Sequence, residues 1–234
     1  MKAAKIRGYL IHLYTASTLL FVVLAVQWIL DERYAWALVA MAVTLVIDAT
    51  DGALARKFRI AVVARRIDGV LLDNVVDFTS YVFLPLLFMM HVGLLVEPVT
   101  AFATLIAFSS AYGFSRTSSK MADEGFFVGF PSYWNVVVFY LFLFDLPAWF
   151  NTALIVALAL LAFTGVRFLY VSRLKRSRTL HLVLGTVWGV ACMVALFLEP
   201  GAGRFALAYG SLAYVAFYTV HSVLLDLEGR RAAR

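Results

Sequence analysis

Apolar runs of membrane-spanning length decide what this chain can fold into. Eight of them follow one another: Tyr9–Leu30, Tyr34–Arg56, Asp68–Leu95, Val99–Phe114, Ser132–Phe144, Trp149–Ser172, Leu180–Leu198 and Phe205–Leu227. A helix needs roughly 20 apolar residues to cross a bilayer, and only the fifth run falls well short. The chain is 63% hydrophobic and 15% charged, whereas soluble domains hold about 45–50% apolar and about 25% charged residues. So much apolar surface exceeds what one soluble core of this size hides. The predicted fold is therefore all-α, a polytopic membrane helical bundle of about eight transmembrane helices in a single domain, residues 1–234. Pro98, Pro131, Pro147 and Pro200 sit at or near run boundaries, while Pro85 is internal and predicts a kink in the third helix. The first run is longer than a cleavable signal segment and lacks its small-residue cleavage site, so it reads as the first span. Cys192 is the single cysteine, which excludes an intrachain disulfide.

Charge orients the bundle. Basic residues gather in alternate connections: Lys2, Lys5 and Arg7; Arg56, Lys57, Arg59, Arg65 and Arg66; Arg116 and Lys120; Arg173, Lys175, Arg176 and Arg178; Arg230, Arg231 and Arg234. The other connections hold only Arg33 and Arg204. Cytoplasmic loops carry the excess of Lys and Arg, so both termini are expected in the cytoplasm. The net charge of +6 is then explained by topology and anionic headgroups, and nucleic acid is not an expected partner.

Four acids sit where acids are costly. Asp48, Asp51, Asp73 and Asp77 lie within or at the ends of the second and third apolar runs. A carboxylate there costs about 2.5–3.5 kcal/mol on insertion scales, which marks a functional position with a partner. Bridges to Arg56 and Arg65 are one way to offset that cost. The spacing offers another. Asp48 and Asp51 are three apart, Asp73 and Asp77 four apart, so each pair shares a helix face. Four like charges in a dry site repel and need a counter-charge. Oxygen-only ligands suit hard divalent cations, Mn2+ or Mg2+, and two such ions could bridge the site. Gly52 removes a side chain beside Asp51, Ala55 is small, Arg56 can grip a phosphate, and Gly69 opens the third helix one turn before Asp73.

The run Asp48-Ala49-Thr50-Asp51-Gly52-Ala53-Leu54-Ala55-Arg56, followed by Gly69, Asp73 and Asp77, resembles the signature of the CDP-alcohol phosphotransferase family. That signature reads D-x2-D-G-x2-A-R, a spacer, then G-x3-D-x3-D, and every fixed position is matched. The resemblance implies a helical membrane fold that is often dimeric. It also implies a reaction in which an acceptor hydroxyl displaces CMP from a CDP-linked lipid. It implies metal ligation by Asp48, Asp51, Asp73 and Asp77, with Asp77 also the general base, and a CDP pocket lined by Asp48, Gly52, Ala55, Arg56 and Gly69. Most members have a shorter spacer. Here Lys57–Asp68 makes twelve residues, about one helical turn more. The longer spacer, together with Tyr112-Gly113-Phe114-Ser115-Arg116 and Gly129-Phe130-Pro131-Ser132-Tyr133-Trp134-Asn135, is similar to the bacterial branch that joins CDP-diacylglycerol directly to choline. That branch implies a site facing the cytoplasm from the bacterial inner membrane.

Choline carries a quaternary ammonium, which aromatic faces attract. Tyr112, Tyr133 and Trp134 are the expected choline contacts, although Trp and Tyr also gather at membrane interfaces for other reasons. Glu124 offers a charge partner or a solvated acid beside Asp123. Arg116 reads equally as a lipid-phosphate contact or an orientation anchor. His12, His91, His181 and His221 form no ligand spacing. Gly185 and Gly189 make a small-x3-small pair, for packing within the chain or for a homodimer. Two rivals stand beside choline transfer. One is the same chemistry on serine, inositol or glycerol phosphate; the other is a membrane cation transporter.

Overall fold

The computed structural model describes residues 2–64, 66–116, 120–121, 125–174 and 177–232. Arg65, Asp123, Glu124, Lys175, Arg176 and Arg234, named above, lie outside the described residues. The chain is an all-α, multi-pass membrane protein with a small added sheet. Five helical stretches are long and apolar enough to cross a membrane: Ala4–Leu30, Tyr34–Lys57, Gly69–Val92, Arg178–Phe197 and Ala202–Gly229. Shorter apolar helices cover Val99–Ser115, Trp134–Phe144 and Ala148–Leu161. These eight stretches correspond in order to the eight apolar runs.

The backbone groups into two compact units. One holds the described residues of Met1–Val92 with Trp134–Val138, and the other those of Gly93–Tyr133 with Phe139–Arg234.

The first unit begins with α1 (Lys2–Ala16) and α2 (Thr18–Leu30), one continuous stretch broken by a turn at Ser17. Next come α3 (Tyr34–Lys57), the short α4 (Ile60–Val63) and α5 (Gly69–Phe78). A π turn, Thr79–Phe83, leads into α6 (Leu84–Val92). Lipid is as apolar as a core, so helices here associate by close packing more than by the hydrophobic effect. The sequence supplies small residues where α2 meets α3: Ala25, Ala37 and Ala40 are all buried. Asp68 caps α5, its Oδ1 accepting from the Val70 and Leu71 amides at 3.0 Å each. That cap sets where α5 starts, and so where Asp73 and Asp77 fall. The expected irregularity at Pro85 takes the form of the π turn, in which the Leu84 amide reaches back to the Thr79 carbonyl. Pro85 has no amide to continue an ordinary ladder.

The second unit contains α7 (Val99–Ser115), β1 (Lys120–Met121), β2 (Phe126–Val128), most of α8 (Trp134–Phe144), α9 (Ala148–Leu161), β3 (Arg167–Leu169), α10 (Arg178–Phe197) and α11 (Ala202–Ala232). The three strands form an antiparallel sheet in the order β1-β2-β3. The sixth apolar run, expected to stay helical to Ser172, leaves the helix at Leu161. The Thr164 side chain turns the chain by bonding the Leu161 carbonyl at 2.8 Å and accepting from the Val166 amide at 3.3 Å. Residues Val166–Val171 are rich in β-branched and aromatic types, which favour strand. The strand is secured by one stripe of α11, spaced four residues apart. Tyr218 Oη donates to the Leu169 carbonyl at 2.8 Å, Ser222 Oγ accepts from the Leu169 amide at 3.1 Å, and Asp226 pairs with Arg167 at 3.4 Å. Gly185 does pack within the chain: a Cβ there would stand 3.2 Å from Tyr214 Oη of α11. Two of the histidines without sequence spacing also meet, His181 Nε2 lying 2.8 Å from His221 Nδ1.

Candidate active site

Helices α3 and α5 carry the acids, and α1 packs against both. Asp48, Asp73 and Asp77 each present a carboxylate oxygen to one point, all within 4.8 Å of one another. All three are half-buried. Asp73 and Asp77 share a face of α5 because they are one turn apart, and Asp48 meets them from α3. An all-oxygen set of three carboxylates suits a hard divalent cation.

Asp51 takes a different place. It is 4% exposed, and Thr15 Oγ1 of α1 donates to its Oδ2 at 2.7 Å. It stays within electrostatic reach of Asp73 and Arg56, but its oxygens are not in the three-carboxylate group. The neighbouring pair follows the same path between helices: Tyr14 Oη and Thr50 Oγ1 are 2.8 Å apart. Asp48 is held from the other side, Tyr81 Oη donating to its Oδ2 at 2.7 Å. Tyr81 and Thr15 are site residues that the motif does not contain. Tyr81 lies four residues after Asp77, a helical spacing that could have marked it. Thr15 lies 36 residues from Asp51, and nothing local announces that pairing.

The small residues of the motif each make room for a particular neighbour. A Cβ on Gly52 would stand 3.1 Å from Arg56 Nη1, so the glycine lets the guanidinium fold back along α3. A Cβ on Gly69 would stand 2.9 Å from His12 Cε1. The space beside Gly69 is thus taken by the imidazole of a buried histidine on α1. Ala55 is half-buried and Arg56 exposed at the end of α3.

The aromatic residues expected at choline differ in their surroundings. Tyr112 is exposed and packs on Phe163, ring centroids 4.9 Å apart, with the Arg116 guanidinium 5.9 Å over its ring. Arg116 Nη1 also reaches the Thr164 carbonyl at 3.4 Å. Tyr133 stands edge-on to Phe127 at 6.4 Å, and Phe127 lies 4.3 Å from Tyr170. Trp134 is fully buried. Tyr112 and Tyr133 thus have different ring partners, and Trp134 has no exposed face.

No family model matches the chain. Curated relatives match most of it. A phosphatidylcholine synthase of Legionella pneumophila is 36% identical over 222 residues, 90% of this chain and 85% of that protein. One of Borreliella burgdorferi is 31% identical over 228 residues, 96% of this chain and 97% of its own length. The chain belongs to the phosphatidylcholine synthase family. A third member of the family, from Pseudomonas aeruginosa, is 32% identical over 197 residues, 84% of this chain and 82% of its own length. The family gives the acid cluster its setting, a membrane protein that handles phospholipid.

Proposed function

We propose that the chain is a phosphatidyltransferase that condenses CDP-diacylglycerol with choline, giving phosphatidylcholine and CMP. The observation that carries this reading is the convergence of Asp48, Asp73 and Asp77 on one point, in a chain whose relatives bear the name phosphatidylcholine synthase. The choline hydroxyl oxygen attacks the phosphorus that bears the diacylglycerol. A new P–O bond forms, the bond from that phosphorus to the oxygen of CMP breaks, and the hydroxyl proton passes to Asp77. CMP leaves with the electrons of the broken bond.

Phosphoryl transfer requires positioning and neutralisation of oxygen charge more than covalent help from the protein. Asp48, Asp73 and Asp77 fit one divalent cation, Mn2+ or Mg2+, and Asp51, released from Thr15, would help to hold a second. A cation held there would supply positive charge for the diphosphate oxygens. Arg56, freed by Gly52, holds a phosphate. With the orientation expected from the basic connections, the C-terminal end of α3 and the start of α5, and so the site, face the cytoplasmic side of the bacterial inner membrane in this reading. CDP headgroups and choline are available there, while the acyl chains remain in the bilayer. Tyr112 and Tyr133 as choline contacts and Arg116 as a lipid-phosphate contact are proposed on the resemblance and on side-chain chemistry alone.

The test is an acceptor panel. Membranes containing the protein receive CDP-diacylglycerol, Mn2+ or Mg2+, and labelled choline, serine, inositol or glycerol phosphate. Choline alone should yield labelled lipid and release CMP, and Asp73→Asn should reduce the rate at least about 100-fold, in keeping with the several kcal/mol expected for loss of a charge-stabilising group. Product from serine with none from choline would defeat the acceptor assignment. Cation flux without CMP release would replace the enzyme with a transporter.

A further inference from the structure

The two aspartates of α3 are each held by a hydroxyl from another helix, and the two hydroxyls act on different acids. Thr15 holds Asp51, which stands outside the three-carboxylate group, whereas Tyr81 holds Asp48, which belongs to it. We propose that Tyr81 is a positioning residue of the metal centre: its hydroxyl fixes the Asp48 carboxylate so that the three acids are set for a divalent cation before the cation arrives. This rests on the metal-dependent reading above and adds a residue to it.

Three features of the chain support that role. First, Tyr81 is 4% exposed, and a buried phenol requires a partner for its hydroxyl. That partner is a carboxylate oxygen 2.7 Å away, a charge-assisted bond stronger than one to a neutral acceptor. Second, the bond spans the two elements that carry the acids. Tyr81 follows Asp77 by four residues on one chain segment, and Asp48 lies on α3, 33 residues earlier. Separation of α3 from α5 would break the bond and disperse the carboxylates together. Third, Tyr81 sits in the middle of the π turn Thr79–Phe83. A π turn holds an extra residue and redirects the side chains around it, and such turns recur at functional sites. Here the redirected ring reaches α3.

Groups that hold a metal ligand from behind typically alter metal affinity about 10–100-fold when removed. The experiment uses the full chain in lipid nanodiscs without nucleotide, with free Mn2+ counted by electron paramagnetic resonance. Tyr81→Phe keeps the ring and deletes the hydroxyl. Its Mn2+ dissociation constant should rise about 10–100-fold, and turnover should return toward the wild-type rate as Mn2+ is raised. A purely structural defect would not respond to metal. Mn2+ affinity unchanged in Tyr81→Phe, alongside loss of binding in Asp73→Asn, would overturn the role of Tyr81 and leave the metal centre standing. Turnover that no Mn2+ concentration restores would also overturn it. A wild-type protein that binds no Mn2+ would overturn both the role and the reading beneath it.

Discussion

At the scale of single residues, the glycine of the second half-motif has a packing duty that a pocket-lining role would hide. His12 fills the space that a side chain on Gly69 would occupy, with Cε1 2.9 Å from the added Cβ. Gly69→Ala must therefore push the imidazole or α1 aside. Overpacking of this kind costs about 1–3 kcal/mol, and the melting temperature in detergent should fall accordingly. His12→Ala empties the same space, so the pair Gly69→Ala and His12→Ala should melt above Gly69→Ala alone. A pair that melts no higher would show that the strain arises elsewhere. The motif also shows what spacing can and cannot convey. That Asp73 and Asp77 share a face was legible in their separation. Asp48 and Asp51 looked equivalent by the same rule, yet three residues at about 100° each leave them about 60° apart around the helix. That difference turns Asp48 toward Asp73 and Asp77 and Asp51 toward Thr15. The partner helix decides which way each acid is used, and it lies too far along the chain to be read locally.

At the scale of elements, the sequence located the eight apolar helical stretches but missed the short α4 and misjudged where the sixth stretch ends. An apolar run shows that a segment avoids water, and does not distinguish a helix from a short buried strand. A distant glycine makes room for the ending. Gly129 has φ +84°, its amide donates to the Val166 carbonyl at 2.7 Å, and the Ala162 carbonyl occupies the place of a Cβ. The segment before β3 thus passes against bare backbone. Gly129→Ala would place a methyl group against that carbonyl and strain the left-handed conformation, at about 1–3 kcal/mol. The expected result is a lower melting temperature and faster amide exchange in Arg167–Leu169, with Mn2+ binding at Asp48, Asp73 and Asp77 unchanged. Exchange that stays as slow as in the wild type would mean the sheet does not depend on Gly129.

At the scale of the whole molecule, the proposed side of the acids rests on an orientation argued from charge. Helix α3 runs 24 residues, about 36 Å at 1.5 Å per residue, enough to cross a hydrocarbon core of about 30 Å. Asp31, Glu32 and Arg33 precede it, while Arg56 and Lys57 close it and Arg59 and Arg66 follow. Asp48 lies nine residues before Lys57, about 13 Å from that end. If the basic end faces the cytoplasm, the acids open toward soluble choline. If it faces outward, the reaction loses its supply of CDP-linked lipid headgroups. Cys192 is the single cysteine and is buried, so an introduced thiol can be followed against a low background. Asp31 and Arg66 are both exposed and lie beyond opposite ends of α3. In spheroplasts, Asp31→Cys should react with a membrane-impermeant maleimide, and Arg66→Cys should react only after the membrane is opened. The reverse pattern would place the acid cluster near the outer leaflet, and cytoplasmic choline transfer would then be untenable however well the carboxylates converge.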